Sequence, residues 1–187
     1  MRYLLPFFTV ATVLACSAPH AKSFDYVQLS YLESDAFNLK LDGPQIDISK
    51  RFGERYFVAG GYGNFDADVN GFDVDSEIMH ARLGILSHPV QNPSLTLLGG
   101  LEVIRVAYSF QALDESDTGY GGFVGVRNQV TDDIEFIGEG RLTRVFDDTS
   151  FSASLGLRYY VRPQLSLHAS GSMGDMSGYQ LGAAFHF

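Results

Sequence analysis

From residue 24 onward the chain alternates. In the closing segment GYQLGAAFHF, Tyr179, Leu181, Ala183, Phe185 and Phe187 take one set of alternate positions. Gly178, Gln180, Gly182, Ala184 and His186 take the other. A period of two is the mark of a β-strand with two unlike faces. The same pattern sets Phe151, Ala153, Leu155, Leu157, Tyr159 and Val161 against Ser152, Ser154, Gly156, Arg158 and Tyr160. It sets Leu165, Leu167, Ala169, Gly171 and Met173 against Ser166, His168, Ser170 and Ser172, and Tyr120, Gly122, Val124 and Val126 against Gly121, Phe123, Gly125 and Arg127. Further strands fit near 25–33, 44–52, 55–65, 77–87, 95–110 and 134–146, which makes ten. Segment 55–65 carries aromatics and glycines on both faces, so its phase stays open. No segment longer than a turn carries the helical period.

Which face points inward decides the class. A soluble sandwich buries the apolar face, whereas a membrane barrel turns it to lipid and fills its lumen with small and polar side chains. Three features favour the second arrangement. The segments run to ten residues or more, as a tilted membrane strand requires, against about five or six for soluble strands. Many of the 20 glycines fall inside strands, as in AGGYG, LGG and GYGGFVGV, where a soluble sheet would be weakened but a narrow barrel needs room. The final FHF would lie in an interfacial aromatic girdle. The expected fold is all-β: an up-and-down antiparallel transmembrane β-barrel of ten strands, with eight as the alternative.

The segments FGERYFVAGGYG, VTDDIEFIGEGRL and VRPQLSLHASGS resemble the strand–tight turn–strand hairpins of small Gram-negative outer-membrane β-barrels, the OmpA-like and opacity-like group. With an export signal and a closing Phe, the resemblance covers residues 24–187. It implies the cell outer membrane as location, outer-membrane lipid and lipopolysaccharide as surroundings, and a monomer. It also implies recognition of the last strand, ending at Phe187, by the barrel-assembly machinery. The commonest members of the group have eight strands.

The first 23 residues, MRYLLPFFTVATVLACSAPHAKS, read differently. Arg2 precedes an apolar run, Tyr3 to Ala15, too short to cross a bilayer as a helix of about 20 residues, and small residues follow. Residues 1–23 are expected to be a cleaved signal peptide, and 24–187 the barrel domain. TVLAC around Cys16, the one cysteine, also resembles a lipoprotein lipobox. Either reading exports the chain, and cleavage after Ser23 leaves a domain with no disulfide. Removing Arg2 and Lys22 leaves 11 of the 13 basic residues against all 22 acidic ones. A chain so acidic, with three lysines, is a poor ligand for nucleic acid, which needs phosphate neutralisation by Lys and Arg.

With both termini at the periplasmic side, the inner turns fall at 53–55, 88–94, 131–133 and 162–163. The outer loops fall at 33–43, 66–77, 111–118, 147–149 and 174–177, and these hold 14 of the 22 acidic residues with Lys40 as their one base. Inward positions carry Asp47, Glu102, Glu135 and Glu139 beside Arg51, Arg82, Arg127, Arg141 and Arg158. A charge in a narrow lumen is costly unless paired, so this near balance predicts an ionic network. Its plain role is filling, and its alternative is a narrow channel for small solutes or ions.

Two other patterns bear on chemistry. DADVNGFDVDSE, with Asp66, Asp68, Asn70, Asp73, Asp75 and Glu77, matches a calcium-loop spacing. An EF-hand, however, needs flanking helices, and Asn70-Gly71 is a strong hairpin-turn signal. A solvated acidic hairpin is expected, with weak calcium or magnesium binding as the alternative; no other cofactor is indicated. His168 and Ser170 resemble the His-x-Ser pair of an outer-membrane lipid A deacylase, but they share the lumen face, where a lipid chain does not reach. His80, His168 and His186 lie on separate strands without metal-ligand spacing. The expected function is therefore non-enzymatic, in envelope integrity or surface interaction, with lipid A modification as a distant alternative.

Overall fold

The computed structural model describes residues 24–36, 39–69, 72–92, 94–110 and 113–187. Ten strands follow one another: β1 (Tyr26–Ala36), β2 (Leu39–Phe52), β3 (Tyr56–Val69), β4 (Phe72–Ser87), β5 (Leu95–Phe110), β6 (Leu113–Gln129), β7 (Ile134–Val145), β8 (Asp148–Arg162), β9 (Leu165–Gly174) and β10 (Met176–His186). Each pairs antiparallel with its neighbours in sequence, and β1 pairs with β10, so the sheet closes into a barrel without an edge. Ten strands, not eight, is the count. The expected signal peptide, with Cys16, lies outside the described residues.

The inner turns fall where the sequence places them, except that the β8–β9 turn is 163–164, one residue later than 162–163, because Arg162 still pairs with Leu165. Gly53, at φ 63°, takes the left-handed conformation that the tight β2–β3 turn requires. The outer segments need correction. Much of what reads as loop at 33–43, 66–77 and 111–118 is strand: Glu33 pairs with Asp42, Asp66 with Asp75, and Arg105 with Thr118. Antiparallel hydrogen bonding continues into water wherever neither partner breaks it, so the ladder outlasts the apolar alternation. At the β7–β8 turn Phe146 and Asp147 both have positive φ, 52° and 62°. This is the type I′ geometry that matches strand twist in a two-residue hairpin, and Asp117 Oδ2 accepts from the Phe146 amide.

Following paired residues once around the barrel shifts the path by about 12 residues along β1, which corresponds to a strand tilt of about 40°. At that tilt the 10 residues of β9 rise about 25 Å, the height of the apolar band in such barrels. The 17 residues of β6 rise about 43 Å, so the β5–β6 hairpin stands well clear of the band while β9–β10 barely leaves it.

Alternation then sorts the side chains. Leu29, Ile48, Leu83, Leu101, Val124, Leu155 and Leu181 are exposed around the outside. An outward belt of Tyr31, Tyr62, Tyr120, Phe151 and Tyr179 lies toward the outer hairpins, and Phe52, Tyr56, Tyr159 and Phe185 lie toward the inner turns. Aromatic rings belong at both interfaces, where an apolar body meets a wet edge. Three phenols of the outer belt donate to carboxylates: Tyr31 to Asp42, Tyr179 to Glu33 and Tyr62 to Glu77.

Candidate functional site

The inward faces build the lumen in layers. At the inner end, Phe24, Phe57, Leu86 and Phe123 form a buried apolar cluster with Ala59 and Leu98 beside it. The Phe24 and Phe57 centroids lie 5.3 Å apart, and those of Phe57 and Phe123 lie 6.1 Å apart. The opposite side carries Tyr26, Tyr160 and His186, with His186 centred 5.8 Å from Tyr26 and 5.1 Å from Tyr160. His186 Nε2 also lies 2.8 Å from Ser166 Oγ. Two arginines join the halves: the Arg127 guanidinium lies 3.9 Å from the Phe24 ring centre and 5.8 Å from that of Tyr26, and Arg158 lies 4.8 Å from Tyr26. Rings and guanidinium planes thus form a floor across the barrel, each cation held over a π face.

Midway along the lumen four charges from β4, β5 and β7 interlock. Arg82 donates from Nε to Glu102 at 2.9 Å and from Nη1 to both Glu139 oxygens at 3.1 Å. Arg141 donates from Nη2 to Glu139 at 3.2 Å, and its Nε lies 3.5 Å from Glu102. The Glu102 side chain is fully buried. Beside this waist Asp47 accepts from Gln45 at 2.8 and 2.9 Å and lies 3.4 Å from His80 Nε2. Gly61 leaves the space for that contact, because a Cβ there would collide with Asp47 and the His80 ring. Gly61→Val is expected to lower the barrel's thermal midpoint by an amount corresponding to overpacking, about 1–3 kcal/mol, in a heat-dependent gel-shift series. An unchanged midpoint would show that the pair moves aside freely.

The outer end is apolar on the β2–β7 side, with Leu41, Phe65, Ala67 and Val74 in one cluster and Ile104, Val106 and Val145 in another. Across from them, small polar residues of β8, β9, β10 and β1 leave room. Two cavities result. The inner one, about 170 Å³, lies between floor and waist; the outer one, about 190 Å³, runs along Ser34, Ser152, Ser154, Ser170 and Ser172. Gln45, His80, Glu139, Arg141, Ser154, Ser170 and Gln180 line both, so the two cavities meet at this layer of side chains.

Among the residues read as an ionic network, Arg82, Glu102, Glu139 and Arg141 form one cluster, and Glu135 pairs with Arg158 at 3.5 Å in another. Asp47 joins His80 and Gln45. Two positions need correction. Arg51 stands apart near the inner turn, its amide donating to Asp25 Oδ1 at 2.6 Å. Arg127 lines the lumen, but no carboxylate among the described residues lies within ion-pair distance of it; the rings of Phe24 and Tyr26 are its neighbours. His168 and Ser170 both line the inner cavity, as their phase requires.

The acidic segment at 66–77 is a ladder, in which Asp66 faces Asp75 and Asp68 is in register with Asp73. Asn70 lies outside the described residues. Asp66 and Asp75 are exposed on the outer face, and Glu77 accepts from Tyr62 at 3.1 Å. A straight hairpin spreads these groups along its face, whereas a calcium loop curls its oxygens around one point. Among the described residues no three His, Cys, Asp or Glu side chains converge for a metal.

Tyr26, Gln28, Gln45 and Gln180 also line the lumen. Each sits at an inward position of the same alternation; uncharged and single, they gave no pairing signal.

No family model matches this chain, and no curated protein resembles it in sequence. Solved structures resemble it in fold. The translocator domain of the autotransporter NalP from Neisseria meningitidis is 12% identical, with a TM-score of 0.52 over 95% of this chain and 92% of that one. The beta domain of the Bordetella autotransporter BrkA is 14% identical, also at 0.52, over 87% and 98%. Neisserial surface protein A is 15% identical over 88% and 98%, at 0.46. The chain has the closed antiparallel β-barrel fold seen in outer-membrane proteins.

Proposed function

We propose that this chain is a non-enzymatic outer-membrane barrel whose lumen is filled, and that it serves the envelope through its outer surface. One observation carries the reading: a layer of rings and guanidiniums at the inner end and four interlocked charges midway occupy the lumen that a porin would keep open. The lumen groups support filling, since the waist carboxylates and guanidiniums are spent on one another, and a buried charge so engaged is held in place by its partners. The outside supports the membrane placement, with an apolar wall between two aromatic belts. Toward lipopolysaccharide and the exterior the chain presents Glu33, Asp35, Asp42, Asp66, Asp75 and Glu77 on four adjacent strands, all exposed. Such a face repels polyanions and attracts cations.

His168 and Ser170 do not favour lipid A chemistry. They face the lumen, and nucleophilic catalysis would also require an orienting group and an oxyanion site on the lipid side.

The test is electrical. Refolded protein in a planar bilayer is expected to give no steady conductance above the lipid background. Reproducible open-channel steps from the wild-type barrel would overturn the filled-lumen reading and establish the narrow channel instead.

A further inference from the structure

The lipid-facing wall ends differently on the two sides of the barrel. On β1–β4 its outer margin is acidic, with Glu33, Asp42, Asp66 and Asp75 exposed and in register across the four strands. On β5–β7 the margin is basic. Arg144 stands directly opposite Tyr120 of the outer aromatic belt, whose other neighbour is Val103, and Arg105 lies two residues beyond Val103. Both arginines are exposed and share the outward phase of Leu101, Val124 and Leu142. Their attachments are slight. Arg105 donates to Ser116 Oγ at 3.3 Å and forms no ion pair among the described residues. Arg144 reaches Asp147, itself 98% exposed, at 3.2 Å. On β4 the carboxylate next to Arg105 in register is Glu77, which lies beyond Met79 and accepts from Tyr62.

The spacing of the pair fits one anion. Two strand separations and an offset of two residues put their Cα atoms about 12 Å apart, a span that two arginine side chains bridge when both point at a group between them. Ser116 and Thr118, exposed and outward on β6 between the two, add hydroxyls at the same level. Height selects the kind of anion. A cation just beyond an apolar wall and a ring belt stands where lipid headgroups begin, and reaches them along its aliphatic stem. Guanidinium forks match phosphate oxygens two at a time, and a phosphate monoester carries about two negative charges. We propose that Arg105 and Arg144 clasp the phosphate of a phosphorylated lipid in the outer leaflet, its acyl chains laid along exposed Val103, Val124 and Leu142. A phosphate free in water gains none of that apolar contact, so the occupant is the lipid. The clasp presupposes the membrane placement of the barrel, but not the filling of its lumen.

The probe is diphosphorylated lipid A, presented to the refolded barrel in mixed detergent micelles, with bound lipid counted by native mass spectrometry. The wild-type barrel is expected to retain lipid A, and R105Q/R144Q to bind it about tenfold more weakly or worse. Lysine at both positions, which keeps the charge but not the fork, should fall between them. R55Q/R162Q, which removes equal charge from exposed sites at the inner end, should leave binding unchanged. All of these are surface changes, and the heat-dependent gel shift reports whether each barrel has closed. Should a variant fail to fold, phosphorylated against dephosphorylated lipid A on the wild type decides. Equal retention of lipid A by wild type and R105Q/R144Q would overturn the clasp, as would equal retention of lipid A stripped of both phosphates. Displacement of lipid A by millimolar inorganic phosphate would make the free anion the ligand and overturn the lipid. A barrel that folds into vesicles yet binds no lipid A defeats the clasp alone, whereas a chain that does not enter vesicles defeats the membrane placement with it.

Discussion

Glu102→Ala is expected to be the most damaging single change in the lumen, lowering barrel stability by about 3–5 kcal/mol. Glu102 is fully buried and is shared by Arg82 at 2.9 Å and Arg141 at 3.5 Å. Removing it leaves two guanidiniums to divide Glu139 between them. The loss is therefore chiefly the cost of stranded charge, more than of the pair's net attraction. That distinction can be measured. Arg82→Met combined with Glu102→Leu removes one charge of each sign and leaves Arg141 with Glu139, 3.2 Å apart. The double variant should recover most of the stability that the single one loses, read as the temperature at which the compact gel band disappears. If single and double variants melt alike, the waist is held by packing and the ionic account of it fails.

The ionic waist was partly legible in the sequence. Alternation puts Arg82, Glu102, Glu139 and Arg141 on inward faces, and a narrow lumen makes charged side chains seek partners. Pairing itself was not legible, because it depends on how far each strand slides past the next. The 12-residue shift around the barrel sets Glu102 beside Arg82 but leaves Arg127 among rings and Arg51 at the inner turn. Arg127 shows the limit best: its period predicts an inward guanidinium, but the Phe24 ring that receives it precedes β1, outside any alternating run. The floor was likewise hidden, since Phe57 belongs to the one segment whose two faces looked alike. The outer hairpins ran longer than the apolar pattern because hydrogen bonding, unlike hydrophobicity, does not stop at the lipid boundary.

Leu101→Arg tests the orientation of the whole barrel. Leu101 is 72% exposed, lies between the two aromatic belts, and faces outward opposite Leu83, which is 61% exposed. In water such a position tolerates arginine with almost no loss, and an exposed leucine pair on a soluble protein would become more soluble by it. In a bilayer an arginine at mid-depth on the lipid face costs about 2–4 kcal/mol, falling toward zero near the interfaces. Folding into phospholipid vesicles should therefore be weakened by Leu101→Arg. Arginine at exposed Val161, on the inner end of β8, should have a smaller effect. The gradient with depth matters more than either value. Packing damage would not follow depth along an exposed face, and a lumen that faced lipid would show the reverse, with Ser154→Leu tolerated and Leu101→Arg harmless. Equal folding yields for the mid-depth and rim variants would place the apolar wall somewhere other than in lipid, and the aromatic belts would then need another explanation.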